Sequence, residues 1–302
     1  MSRDWEAIFR LWSKPSSDTE DQKCQNAERM IKNAIWEDEA LKEHKIEIFS
    51  QGSYRNNTNV RLDSDVDICV RLMDVFFSDF SLANGFTKAD TGIVNSNYTY
   101  NQFKNDIENA LVTKFGRSSI KRGNKAFDVH ENTYRVDADV VACLEHRRYT
   151  QRSSNGEYQY LSGAEFWSDN GDRIINWPHQ HYENGVAKNT ATGSRFKFIV
   201  RGIKRLKNEM ADDGIAAAKP IPSYLIECLV WNAPNKFFGH SEYKSDVANV
   251  LEYTIESTGS YDKCSEWGEV NELKYLFRGP QPWTLQQAHD FLSSAWDYIE
   301  SN

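Results

Sequence analysis

A two-lobed α+β protein is what this sequence predicts, and three observations carry the expectation. Short β-prone runs crowd the part before residue 165, helical spacing takes over after it, and 302 residues with 39% hydrophobic content suffice for two small cores. The expected division is 1–165, a mixed-sheet lobe with a long N-terminal helix, and 166–302, a helical lobe.

The first helix is expected over Asp18–Lys42, where Ala27, Met30, Ile31, Ala34 and Ile35 recur at helical spacing and Ser16, Ser17 and Asp18 offer cap oxygens. Ile46–Ser50 is short and β-prone. It ends at Gly52-Ser53, a polar run follows from Tyr54 to Asn59, and Asp65–Val70 alternates acidic and apolar positions, which reads as strand, turn, short helix or loop, strand. Residues 84–97 read as a surface loop because of Gly85, Gly92 and several Asn, and Tyr98–Phe115 reads as a helix with Phe103, Ile107, Ala110 and Leu111 on one face. Three β-like runs come next, over Ser118–Lys121, Lys125–His130 and Tyr134–Cys143.

Beyond residue 165, Phe196, Ile199, Val200, Ile203 and Leu206 make an apolar helical stripe, with Lys197, Arg201, Lys204 and Asn208 on a separate polar face. Pro220 and Pro222 end that helix. Further helices are expected over Ser223–Trp231, Ser241–Thr258 and Thr284–Ile299.

Composition narrows the function. No apolar run approaches a membrane span and the first residues lack the basic-then-apolar order of an export signal, so no membrane role is expected and the location is read as cytoplasmic. Five scattered cysteines with no CxxC pair fit reduced thiols. A net charge of −8 disfavours a long nucleic acid as partner. Small anions need only a local cluster, and two exist, over Lys114–Lys125 and Arg195–Lys207; the first reads as a solvated face.

The chemistry rests on Gly52-Ser53, Asp65-x-Asp67 and the acidic strand around Asp137 and Asp139. Residues two apart in a strand share a face, so Asp65 and Asp67 project together, and paired carboxylates repel unless a cation lies between them. Oxygen ligands of this type suit Mg²⁺, and a third carboxylate from a neighbouring strand completes a two-metal clamp. Glycine lets a backbone N–H approach a phosphate, the serine hydroxyl adds a donor, and Lys204 on the basic helix is placed to neutralise further phosphate charge.

Gly52-Ser53, an eleven-residue gap and Asp65-Val66-Asp67-Ile68 resemble the signature of the polymerase β nucleotidyltransferases. Val136–Ala142 is similar to the third-aspartate strand of the bacterial cGAS/DncV-like branch, with Asp139 in the ligand place, Asp137 as the fallback, and Ala142 where proline is usual. Phe198–Lys207 resembles the helix whose lysine, here Lys204, binds the triphosphate, and Pro222-Ser223 resembles the next helix start, whose serine helps hold it.

The resemblance implies a bilobal polymerase β-like fold with the active site in the cleft between the lobes. Asp65, Asp67 and Asp139 would bind two Mg²⁺, with Mn²⁺ as a substitute, and the reaction would join nucleoside triphosphates into a cyclic di- or trinucleotide with release of pyrophosphate. It further implies antiphage signalling through a separate effector protein; the chain itself is expected to be a monomer. A linear oligonucleotide synthase, an RNA-end nucleotidyltransferase and a silent nucleotide-binding protein are the rival readings. Tyr158, Tyr160, Trp167 and Trp177 are candidates for stacking on a base, worth roughly 1–3 kcal/mol, and Asn176 or Asn184 for reading a base edge. His179-Gln180-His181 has no cysteine near it and is not read as a metal site.

Overall fold

The computed structural model describes residues 3–15, 17–60, 65–130 and 136–302. The expected cap oxygen of Ser16 and the expected strand start at Tyr134 lie outside the described residues. In chain order the elements are α1 (Trp5–Trp12), α2 (Asp18–Trp36), β1 (Ile46–Ser50), α3 (Gly52–Asn56), β2 (Val66–Asp79), α4 (Tyr100–Phe115), β3 (Ile120–Arg122), β4 (Phe127–Val129) and β5 (Ala138–Arg152). They continue with β6 (Tyr158–Trp167), β7 (Arg173–Asn176), α5 (Pro178–Ala191), α6 (Arg195–Asp212), α7 (Ser223–Asn232), α8 (Tyr243–Thr258), α9 (Tyr261–Cys264) and α10 (Leu285–Ser301).

The chain forms two compact units, and neither is continuous in sequence. One comprises 18–54 and 65–178; the other comprises 1–17, 55–64 and 179–302. A division at 165/166 would cut through β6, which pairs with β5 from Leu144↔Glu165 to Arg152↔Tyr158 and with β7 from Ala164↔Asn176 onward. Ladder hydrogen bonds therefore hold residues 166–176 in the sheet unit.

In the sheet unit β1 runs antiparallel to β2, β2 parallel to β5, and β5 antiparallel to both β4 and β6. The parallel pair needs a long crossover, which α4, β3 and β4 supply. Ile68, Val70, Leu72, Val140, Ala142 and Leu144 alternate onto one sheet face and pack with Ala27, Ile31 and Ile35 of α2 and Phe103, Ile107 and Leu111 of α4. Thr99 caps α4 through the Gln102 N–H in a reciprocal box. Helix α2 stops at Trp36, short of the expected Lys42.

In the helical unit α6 buries Phe196, Ile199, Val200, Ile203, Leu206 and Met210, each worth roughly 1.5–3 kcal/mol in transfer from water. That stripe packs with Trp5 and Phe9 of α1, the apolar side of α7, and α8 and α10. Among the described residues no helix is long and apolar enough to cross a membrane.

Candidate active site

In the sheet unit the Gly-Ser turn is stitched to the acidic strand. The Gln51 N–H donates to the Asp67 carbonyl at 2.8 Å, and Gly52 then opens α3 with φ of +64°. A Cβ on Gly52 would lie 2.0 Å from Asp67 Oδ2 and 2.9 Å from its Cγ. The turn therefore needs glycine twice over, for its left-handed backbone and for the space the Asp67 carboxylate fills. Ser53 follows, half-buried, in the first turn of α3.

The parallel register sets Asp67 directly beside Asp139, and Asp137 lies two residues earlier, where its carbonyl accepts from the Val66 N–H at 3.1 Å. On the other side of β5, Asp128 of β4 is paired with Asp139 and hydrogen-bonds its side chain. Burial first, then repulsion from Asp139 and Asp65, pushes Asp67 up to about 7. Burial, then the charges of Asp128 and Asp65, raises Asp139 to about 6. Among the described residues no three His, Cys, Asp or Glu side chains are gathered tightly enough to hold a metal ion as they stand. The donors nonetheless fit a hard divalent cation: they are all carboxylate oxygens, and Asp67 and Asp139 stand side by side on neighbouring parallel strands, each disfavoured as an anion by burial and by the other carboxylates.

In the helical unit the polar face of α6 is buried rather than open to solvent. Lys204 is 2% exposed, Arg201 is fully buried and Lys197 nine-tenths buried. The segment 56–60 and Glu227 of α7 cover this face. Lys204 donates to the Thr58 carbonyl at 3.1 Å, the Thr58 hydroxyl at 3.3 Å and Glu227 at 3.1 Å. Arg201 donates to the Ser13 carbonyl at 2.8 Å and to the Asn57 carbonyl. Lys197 lies 5.7 Å from the centre of the Tyr182 ring, and burial lowers its pKa. Ser223 is the first residue of α7, exposed, after Pro222.

Other candidates are already engaged elsewhere. Trp177 is 1% exposed with Arg148 over its ring, Trp167 packs on Phe77 and Tyr158 on Phe86, and Tyr160, the most exposed of the four at 39%, packs on Tyr149 with Arg147 over its ring. The Asn184 amide donates to the Val270 carbonyl, whereas Asn176 is a half-buried residue of β7. His181 bonds Glu227 and His179 bonds Arg55, so both histidines are engaged by protein side chains. In the Lys114–Lys125 cluster Lys114 pairs with Glu37, and Arg117 and Arg122 share Glu108, as a solvated ion-paired face should.

Comparison with known proteins adds to this geometry. Residues 183–300 match the cGAS/DncV-like nucleotidyltransferase C-terminal helical domain. The cyclic dipyrimidine nucleotide synthase CdnE of Legionella pneumophila is 51% identical over 302 residues, all of both chains. The chain belongs to the bacterial cGAS/DncV-like nucleotidyltransferases. A second cyclic dipyrimidine nucleotide synthase CdnE, from Cecembia lonarensis, is 43% identical over 99% of this nucleotidyltransferase and 100% of its own length. The structure of the Rhodothermus marinus CdnE c-UMP-AMP synthase with Apcpp and Upnpp superposes with a TM-score of 0.83 at 30% identity, over 98% of this chain and 96% of that one.

The bilobal α+β nucleotidyltransferase fold and the enzyme class expected from the Gly-Ser and Asp-x-Asp signature therefore stand. Sequence reasoning missed two residues that the structure sets beside its candidates, Asp128 next to Asp139 and Glu227 next to Lys204. Asp128 stands in a three-residue strand too short to show alternation, and only its pairing with β5 sets it beside Asp139. Glu227 looks like one acidic residue in an apolar helix; its spacing of four from Ser223 was the available signal.

Proposed function

We propose that this nucleotidyltransferase joins two pyrimidine nucleoside triphosphates into a cyclic dinucleotide and releases two pyrophosphates. The observation that carries the reading is the pairing of Asp67 with Asp139 against a turn that only Gly52 fits. The pyrimidine preference is drawn from the two relatives named as cyclic dipyrimidine synthases.

Asp65, Asp67 and Asp139 are the residues that would hold two Mg²⁺, which when bound would neutralise charge on the attacking hydroxyl oxygen and the departing pyrophosphate. Asp139 takes up the proton of the ribose hydroxyl as that oxygen attacks the α-phosphorus. The Gly52 N–H and the Ser53 hydroxyl donate to phosphate oxygens, and Lys204 and Ser223 are the further triphosphate-binding residues. A second transfer of the same kind closes the ring. The product is read as a signal for a separate effector protein in antiphage defence, made in the cytoplasm by a monomer.

Incubation with four labelled nucleoside triphosphates and Mg²⁺, phosphatase treatment and mass spectrometry tests this. A phosphatase-resistant product containing uracil or cytosine and no free phosphate end is expected. A phosphatase-sensitive product indicates a linear synthase, and a purely purine ring overturns the pyrimidine assignment.

A further inference from the structure

Glu227 and Ser223 stand four residues apart, so they share one side of α7. Ser223 is exposed at the helix start, while Glu227 is 3% exposed one turn deeper. The Glu227 carboxylate is saturated with partners: the Thr58 hydroxyl donates at 2.7 Å, His181 Nε2 lies at 2.9 Å and the Lys204 ammonium at 3.1 Å. Thr58 in turn receives Lys204 at its carbonyl and at its hydroxyl. Every hydrogen-bonding direction of the Lys204 ammonium thus ends on Thr58 or Glu227, and a side chain with four rotatable bonds is held at one point.

Stability alone does not account for the arrangement. Desolvating a buried carboxylate and ammonium consumes most of what their attraction returns, and apolar residues of similar volume commonly do as well. What apolar residues cannot provide is a cation at a fixed place. The two bonds to Thr58, at 3.1 and 3.3 Å, are to neutral oxygens and can be exchanged for phosphate oxygens, while the charge-assisted bond to the Glu227 carboxylate at 3.1 Å is retained and keeps the ammonium aimed.

We propose that Glu227 is a positioning residue for nucleotidyl transfer, holding the Lys204 ammonium in place for the substrate triphosphate, with Thr58 and His181 fixing Glu227. This rests on the reading that Lys204 contacts the triphosphate. Glu227 touches no substrate and acts only through Lys204, which makes its effect dependent on that lysine.

The test is a double-mutant cycle read by calorimetric binding of a methylene-bridged, non-hydrolysable nucleoside triphosphate with Mg²⁺, and by pyrophosphate release. Glu227→Gln and Lys204→Met should each weaken binding about tenfold, raising KM more than they lower kcat, and the double variant should bind no more weakly than Lys204→Met alone. Thr58→Val, which removes one hydroxyl and keeps the carbonyl, should weaken binding about threefold in the same direction. A merely structural Glu227 would lower the melting temperature and leave the dissociation constant alone, or would multiply with Lys204→Met; either result overturns the proposal. Should Glu227→Gln fail to fold, wild-type affinity in Thr58→Val overturns it equally. If Lys204→Met binds like the wild type, it is the assignment of Lys204 to the triphosphate that has failed, and the positioning role of Glu227 falls with it.

Discussion

Gly52→Ala is the sharpest perturbation the structure offers. Alanine in the left-handed region costs roughly 1–2 kcal/mol, and the new methyl would sit 2.0 Å from Asp67 Oδ2, where ordinary contact begins at 3.4 Å. The carboxylate must therefore retreat by more than an ångström, at about 0.5–1.5 kcal/mol for an off-rotamer side chain. The combined loss is about 1.5–3.5 kcal/mol, or roughly 3–14 °C in Tm. A displacement of that size at a reacting centre lowers turnover by about 100-fold. Gly85→Ala is the control, because Gly85 has φ of +79° with nothing within 4 Å of its Cβ position; it should cost the backbone strain and leave turnover unchanged. Pyrophosphate release with Mg²⁺ and thermal melting on both variants separate the two effects. If Gly52→Ala keeps wild-type kcat while melting like Gly85→Ala, the close approach of turn and carboxylate has no part in catalysis.

Asp139→Asn should eliminate turnover with Mg²⁺ or Mn²⁺ while Asp137→Asn retains a measurable rate, since only Asp139 is in register with Asp67; the reverse ranking in a pyrophosphate assay would move the ligand role to Asp137. Asp67→Asn should abolish turnover yet stabilise the chelator-treated protein by on the order of 1 kcal/mol, read as a higher Tm, because the substitution removes a buried charge that Asp139 and Asp65 oppose; a lower Tm in the chelator would contradict that electrostatic account. In acid, burial works against Asp79, but bonds from Ser81 and Arg148 hold it down at about 2. The stability it contributes is therefore fully present above about pH 4 and is lost as pH falls through 2, about 2 kcal/mol in all. Denaturant titrations of Asp79→Asn should show that part of the pH dependence removed, and an unaltered slope between pH 4 and 2 would count against it.

Local signals read well where one side of an element alone is buried. Ile46–Ser50 was legible to the residue, and α4, α8 and α10 to within two at their starts, because an alternating or helical apolar stripe says what the element is, and in α4 and α10 a capping Thr marks where it begins. The hairpin of β6 and β7 was not legible. Tyr158–Leu161 are partly exposed, Gly163 interrupts the run, and what keeps these residues extended is pairing with β5. Helix α1 is only eight residues long, too short for Trp5 and Phe9 at helical spacing to stand out as a stripe, and its burial comes from packing with α6. Gly52, Ser53, Asp65, Asp67 and Asp139 could be singled out as candidates because their grouping is carried by spacing along the chain. The burial of Lys204 was not legible, because periodicity identifies a polar face without saying that Thr58, far away in sequence, lies on it.

The chain passes from one unit to the other four times, after residues 17, 54, 64 and 178. No single cut yields either unit whole, so expressing residues 179–302 alone would leave α6 without α1 and without the strand of peptide that accepts from Arg201 and Lys204. The same threading governs how relatives could exchange parts. A chimaera made at one junction would set a foreign α6 and α7 against a native Thr58, so inheritance of the helical unit requires three pieces to travel together. Modularity here belongs to the folded surface, not to the gene.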